Sequence, residues 1–249
     1  MSVKTDRHNH ILVIRMDRPQ KRNALNAAMT AGIDAAMNQL EDDPELWCGI
    51  LTGTDSVFSA GADLTEGPGE PTERGGVVGL IHRKRSKPLI AAVEGVALGG
   101  GVELILCCDL VVASSKAAFG LPEVKRGLMP DFGGAFRIGR FLPMNVAREM
   151  LITGNPLTAE RAERLGFVNA VVEPGKALSS ALLLAEKICE NAPLAIREAL
   201  AVFNTEVTGD ESASWKRSDA AHARLLQTED LIEGLGAFFE KRPPKWKGR

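Results

Sequence analysis

No apolar run in this sequence approaches the length needed to cross a bilayer, and its first ten residues, "MSVKTDRHNH", are polar where a secretory leader requires an apolar core. A soluble, cytoplasmic protein with no membrane partner is expected. Cysteine is scarce. Of the four present, Cys107 and Cys108 are adjacent while Cys48 and Cys189 stand alone, which gives neither a zinc spacing nor a secreted disulfide framework and fits a reducing compartment. No metal is expected. An excess of one charge is also missing: a formal net charge of −2, with Lys and Arg spread along the chain, offers no electrostatic footprint for nucleic acid. Internal repeats are absent as well. These exclusions leave a small molecule as the expected partner.

What is present suits one large α/β domain, because a chain of 249 residues can bury roughly 70–75% of its unfolded surface without cross-links. Short apolar runs bounded by turn residues, "ILVIRMD" (11–17), "CGILTG" (48–53) and "LIAAV" (89–93), predict buried strands. Between the first two, Leu25, Met29, Ile33, Ala36, Met37 and Leu40 recur three or four residues apart, the mark of a helix face that Asn26 can cap. The chain is expected to open as strand, helix, strand. From Pro143 the pattern turns helical, over 143–154, 158–166 with a stop at Gly166, 177–190 and 193–204. A last helix over 228–241 sets Leu231, Ile232, Leu235, Phe238 and Phe239 on one stripe that should pack on something. Residues 65–76, "TEGPGEPTERGG", carry no apolar period and read as a mobile surface loop, either a lid or a plain connection.

Three consecutive glycines interrupt this pattern in "LGGGVELILCCD" (98–109), where an apolar run opens on Gly99, Gly100 and Gly101 and carries a single acid, Glu103. If they turn a strand into a helix, the first free N–H groups point out of the helix end with its positive partial charge, a site for an oxyanion. Close packing that excludes side chains would equally call for glycine. A second small-residue turn, "SAGAD" (59–63), follows another predicted strand. Two opposed N–H donors would form an oxyanion hole. Glu103 falls on the first helical turn, where the helix dipole alone favours a carboxylate. Glu123 follows Pro122 in a stretch with little helix or strand character, where a solvated loop glutamate is the plain expectation. Brought into one pocket, the two acids would push their pKa values apart, leaving one acid and one base.

The segments "FSAGADL" (58–64), "ALGGGVEL" (97–104) and "FGLPEVKRGLMPDFGG" (119–134), in this order and at these separations, resemble the crotonase, or enoyl-CoA hydratase/isomerase, superfamily. The likeness runs from "DRPQKRNALN" (17–26) through "LTAERAERLGFVNAVV" (157–172) to the helical tail. It implies an α/β fold, a spiral of β-β-α units over residues 1–190 bearing an acyl-CoA site. Residues 191–249 become a helical trimerisation region, giving a homotrimer or a hexamer of paired trimers. By the same resemblance, the N–H groups of Ala62 and Gly100 hold the thioester oxygen. Glu103 acts mainly as base and Glu123 as acid on a water added across the C2=C3 bond of a trans-2-enoyl-CoA.

Main-chain groups around Arg22, Ala24, Leu25, Ala60, Asp63 and Leu64 would meet the coenzyme A moiety, and Lys241 would offer a cation to a neighbouring subunit or simply serve its own helix end. No cofactor is called for, coenzyme A being part of the substrate. Asp131 departs from the many hydratases with Gly at its place. It resembles the acid of some isomerases and the "PD-x-GG" run of carnitinyl-CoA dehydratases, whose tail "EDLIEGLGAFFEKRPPKWKGR" (229–249) also resembles. Asp131 and Phe132 would suit a quaternary ammonium. Ala62 stands where carnitine-type members carry Trp, which keeps hydratase first, ahead of carnitinyl-CoA dehydratase, isomerase and a trimeric acyl-CoA-binding scaffold without chemistry.

Overall fold

The computed structural model describes residues 2–248. Ten strands form two sheets: β1 (Val3–His8), β2 (Ile11–Met16), β3 (Cys48–Thr52), β4 (Val57–Ser59), β5 (Leu89–Val93), β6 (Val96–Leu98), β7 (Leu110–Ser114), β8 (Ala118–Gly120), β9 (Leu157–Thr158) and β10 (Ala170–Val172). The larger sheet has the order β1-β2-β3-β5-β7-β10 and the smaller β4-β6-β8-β9. Three successive passes of the chain therefore each add one strand to the large sheet and the next to the small one: β3 then β4, β5 then β6, and β7 then β8. This is the expected β-β-α spiral. Neighbours within the turns are parallel, and only β1–β2 and β8–β9 run antiparallel.

The predicted strands lie where the apolar runs placed them, and α1 (Ala27–Asp42) begins as expected, with Asn26 accepting from the Met29 N–H at 3.1 Å. Its far end is held by Lys87, a buried ammonium that donates to the carbonyls of Leu40 and Asp43, each at 2.7 Å. A cation there also meets the negative end of the helix dipole. The chain does not open strand, helix, strand: β1, "VKTDRH", precedes β2 as an edge strand exposed at nearly every position, which hides it from a reading based on apolar runs.

Further helices are α2 (Gly100–Ile105), α3 (Gly134–Arg137), α4 (Met144–Thr153), α5 (Ala159–Arg164), α6 (Ala177–Cys189), α7 (Pro193–Thr208), α8 (Ser212–Leu225) and α9 (Glu229–Glu240). Helix α6 covers the outer face of the large sheet through Ala177, Ala181 and Ala185, small enough to let the helix lie close, and Glu94 caps it by accepting from the Ala177 N–H. The main core fills the other face, between the sheets and α1. The stripe expected on α9 is only partly buried: Leu231, Gly234 and Ala237 face the chain, while Ile232, Phe238 and Phe239 are exposed. A helix packed through Gly234, whose Cα lies against the Arg126 backbone, uses a face that a search for large apolar residues does not find.

Residues 65–76 are not a detached lid. Thr30 donates to the Pro68 carbonyl, Thr72 to the Asp34 carboxylate, and Arg74 pairs with Asp42, so the segment lies along α1.

Candidate active site

Two strand ends of the small sheet face each other. The chain leaves β4 through Ala60 and Gly61, and leaves β6 through Gly99 into α2. Gly61 takes φ +93, and a Cβ there would sit 2.8 Å from the Leu98 carbonyl oxygen and 3.4 Å from the Gly100 nitrogen, so the turns are in contact. Among the described residues, the Gly100 N–H, at the first position of α2, and the Ala62 N–H have no acceptor. Leu25 bridges to this turn, its N–H donating to the Gly61 carbonyl and its carbonyl accepting from Asp63. The result is two unspent donors on backbone that neighbouring ladders hold rigid.

That backbone rests on Arg18, buried with 8% exposure, which donates to the Ala24 carbonyl, to Asp63 at 2.7 Å and to Glu66 at 2.7 Å. Arg22 and Asn23 take left-handed conformations, with φ of 52 and 53, and the Arg22 carbonyl accepts from Ala60. The Asp63 side chain is turned inward. Burial would raise its pKa, but Arg18 and the N–H groups of Thr65 and Glu66 outweigh that and hold it below the usual carboxylate range. Any contact of Asp63 with a ligand is therefore left to its main chain, and Leu64 is half-buried beside it. Replacing Arg18 with Met would leave the buried Asp63 carboxylate without its cation, a change that typically costs about 3–5 kcal/mol. Urea denaturation should register a loss of that order, whereas a loss below about 1 kcal/mol, as for an exposed pair, would show that the network does not hold the turn.

The two glutamates converge on the same place. Glu103, on the first turn of α2, is 2% exposed, and its carboxylate accepts from the Gly134 N–H at 2.8 Å. Burial and the nearby Glu123 push its pKa well above the usual range, partly offset by the N–H groups of Gly134 and Phe132. Glu123 is not on a solvated loop: Pro122–Arg126 forms a 3-10 turn that carries it inward. Its Oε1 would lie 2.8 Å from a Cβ on Gly99, and its Oε2 is buried without a hydrogen-bond partner. Burial, with Asp131 adding repulsion, pushes its pKa up to about 7. Gly99 joins the pair, since its carbonyl accepts from the Glu103 N–H while its α-carbon faces Glu123.

Asp131 sits close enough to raise both glutamates, and burial raises its own pKa against the opposing pull of His222. His222 belongs to α8, which the sequence reading passed over, and so does Trp215, whose ring lies edge-on to Phe136 and His82. The remaining sequence-predicted residue, Lys241, is exposed at the end of α9 with φ 55, and nothing within the chain brings it to the glutamates. Among the described residues, no group of three or more His, Cys, Asp or Glu side chains is gathered as metal ligands would be.

Comparison with known proteins finds relatives over nearly the whole chain. The model of a family described as enoyl-CoA hydratase/isomerase matches residues 6–249. The chain is 41% identical over 259 residues to a carnitinyl-CoA dehydratase of Citrobacter koseri, covering 100% of this chain and 99% of that protein. It is 39% identical over 247 residues to a mevalonyl-coenzyme A hydratase of Aspergillus fumigatus, covering 96% and 92%. A crystal structure of a carnitinyl-CoA hydratase from Mycobacterium avium superposes with a TM-score of 0.95 at 43% identity, over 100% of this chain and 99% of that one.

Proposed function

The chain belongs to the enoyl-CoA hydratase/isomerase family, and from that premise we propose that it is a CoA-thioester hydratase/dehydratase acting on trans-2-enoyl-CoA substrates. The observation that carries this reading is the meeting of two buried, mutually repelling carboxylates with two unspent backbone N–H groups. The thioester oxygen accepts from the Ala62 and Gly100 N–H groups. As charge collects on that oxygen, the C2=C3 electrons move toward C2 and C3 becomes open to attack. A water between the glutamates forms its O–C3 bond while Glu103 takes its proton, and Glu123 delivers a proton to C2. The pair still holds one proton, now on Glu103, and its return to Glu123 resets the site, so no other reactant is consumed. Losing one N–H donor of such a hole typically costs about 3–4 kcal/mol of transition-state stabilisation.

The CoA moiety is assigned to the main chain around Arg22, Ala24, Leu25, Ala60, Asp63 and Leu64. Exposed Phe203, Ile232 and Phe239 on the C-terminal helices support a trimer or a pair of trimers. A second reading, carnitinyl-CoA dehydratase, is favoured by Asp131, a carboxylate next to the glutamates and adjoining Phe132, which suits a quaternary ammonium. Loss of the ultraviolet absorbance of the conjugated thioester, followed in parallel with crotonyl-CoA and crotonobetainyl-CoA, separates the readings. Turnover of crotonyl-CoA establishes a general short-chain hydratase, and turnover of crotonobetainyl-CoA alone makes the cationic substrate the right one. No turnover of either would overturn the hydratase assignment for these acyl groups and turn the search to isomerisation.

A further inference from the structure

One face of α8 is laid along the segment that holds Glu103. Residues three or four apart on a helix share a face, and here Trp215, Ser218 and His222 form that row, with Glu211 at the N-cap just before it. Glu211 pairs with Arg137, at 2.7 Å, and with Arg140. Trp215 stands so close to Gly133 that a Cβ there would lie 3.2 Å from its Cη2, and its ring packs edge-on against Phe136. Ser218 is buried. His222 places Nδ1 3.2 Å from Asp131 Oδ2, a polar contact without the direction of a full hydrogen bond.

The segment these residues grip begins at Asp131, and its Gly134 N–H bonds the Glu103 carboxylate. There is no slack at that bond: a Cβ on Gly134 would lie 2.9 Å from both Glu103 Oε1 and the Pro130 side chain. Any shift of the segment therefore moves the Glu103 carboxylate. Its far end is held twice, by Glu211 and Trp215. At its near end, His222 is the one basic side chain in contact with Asp131 among the described residues, while Asp219 on α8, Glu103 on α2 and Glu123 on the 3-10 turn all face Asp131 with like charge.

From this arrangement we infer that His222 is a positioning residue: by holding Asp131 against α8 it fixes the loop that orients Glu103, so the C-terminal helices of a chain complete that chain's own acid–base site. Without the imidazole, Asp131 faces Asp219 and the glutamate pair with no basic group opposite, and the loop withdraws from Glu103. His222 itself touches no reacting atom. The inference rests on the proposed hydration chemistry for its consequence, but its structural half can be read separately.

The test compares His222→Ala and His222→Asn in the full chain by kinetics and by amide hydrogen exchange. His222→Ala should lower kcat about 10- to 100-fold, as expected for an ångström-scale misplacement, with KM within about twofold because the CoA contacts lie elsewhere. His222→Asn, which keeps a donor near the place of Nδ1, should recover much of that loss. Exchange at the Phe132 and Gly134 amides should rise at least about tenfold in His222→Ala while α1 amides stay unchanged. Unchanged exchange at those two amides would overturn the inference whatever the reaction is, and so would an equal loss in kcat for Asn and Ala. A wild-type protein without activity on any enoyl-CoA would instead sink the proposed function, with the exchange comparison still deciding the role of His222.

Discussion

Glu123→Gln is expected to abolish hydration and, at the same time, to stabilise the protein at alkaline pH. Loss of a positioned general acid typically costs 10²–10⁴-fold, and kcat should fall by about that factor while the CoA ester still binds, because the N–H donors of Ala62 and Gly100 are untouched. The stability effect follows from burial. The Glu123 pKa is about 7 in the folded protein against an ordinary value of 4.5. Below 4.5 both states hold the proton. As pH rises from there to 7 the unfolded chain gives it up while the folded chain keeps it, so wild-type stability falls, and above 7 the full cost of the buried charge is present.

Gln carries no such charge. At pH 8 the variant should therefore be more stable than wild type by on the order of 2–3 kcal/mol, a difference that vanishes near pH 4. Urea titrations at the two pH values measure it, and equal stabilities at pH 8 would mean that Glu123 is not a buried acid. The same pKa places the alkaline limb of the wild-type kcat/KM profile, which reports the free enzyme, near 7, where Glu123 loses the proton meant for C2. The profile belongs to the pair, since Glu103 and Glu123 titrate together.

The two turns of the candidate site were legible in the sequence because they are backbone turns with composition signatures, while the roles of their residues came from the family resemblance. Gly99 to Gly101 and the small residues of 59–63 announce strand ends where side chains are excluded, and the strands before them are short apolar runs. Two residues with functional consequence were not legible, Trp215 and His222. They lie on α8, "SASWKRSDAAHARL", whose inward face is polar and aromatic rather than aliphatic and therefore carries no apolar period. The pattern that replaces it, Glu211, Trp215, Ser218 and His222 at helical spacing, becomes meaningful only once Arg137, Gly133 and Asp131 are known to lie opposite. Glu123 was named through the family resemblance alone: Pro122 and Gly127 mark a turn, but nothing local says that its acid points inward. The isolated bridge between Leu25 and Ala62 joins segments far apart in sequence, so the rigidity of the Ala62 turn is likewise a property of tertiary pairing.

Gly99→Ala should lower kcat by about 10²–10³-fold, the range for loss of an oxyanion-hole donor, with only a modest loss of stability. Gly99 takes φ 53 and ψ −123, a conformation L side chains avoid. An alanine methyl would also sit 2.8 Å from Glu123 Oε1. Relief comes either by displacing the Glu123 carboxylate or by rotating the peptide that carries the Gly100 N–H, and each removes one working part. The Glu103 N–H bonds the Gly99 carbonyl, so rotation disturbs the second acid as well. Gly166→Ala separates strain from contact, because Gly166 is also left-handed, φ +80, yet has nothing within 4 Å of the added methyl. Both variants should lose about 1 kcal/mol or somewhat more in urea denaturation, but only Gly99→Ala should lose activity per folded molecule. If Gly99→Ala kept wild-type kcat, neither the Gly100 donor nor the Glu123 carboxylate would be held where the proposed mechanism requires them.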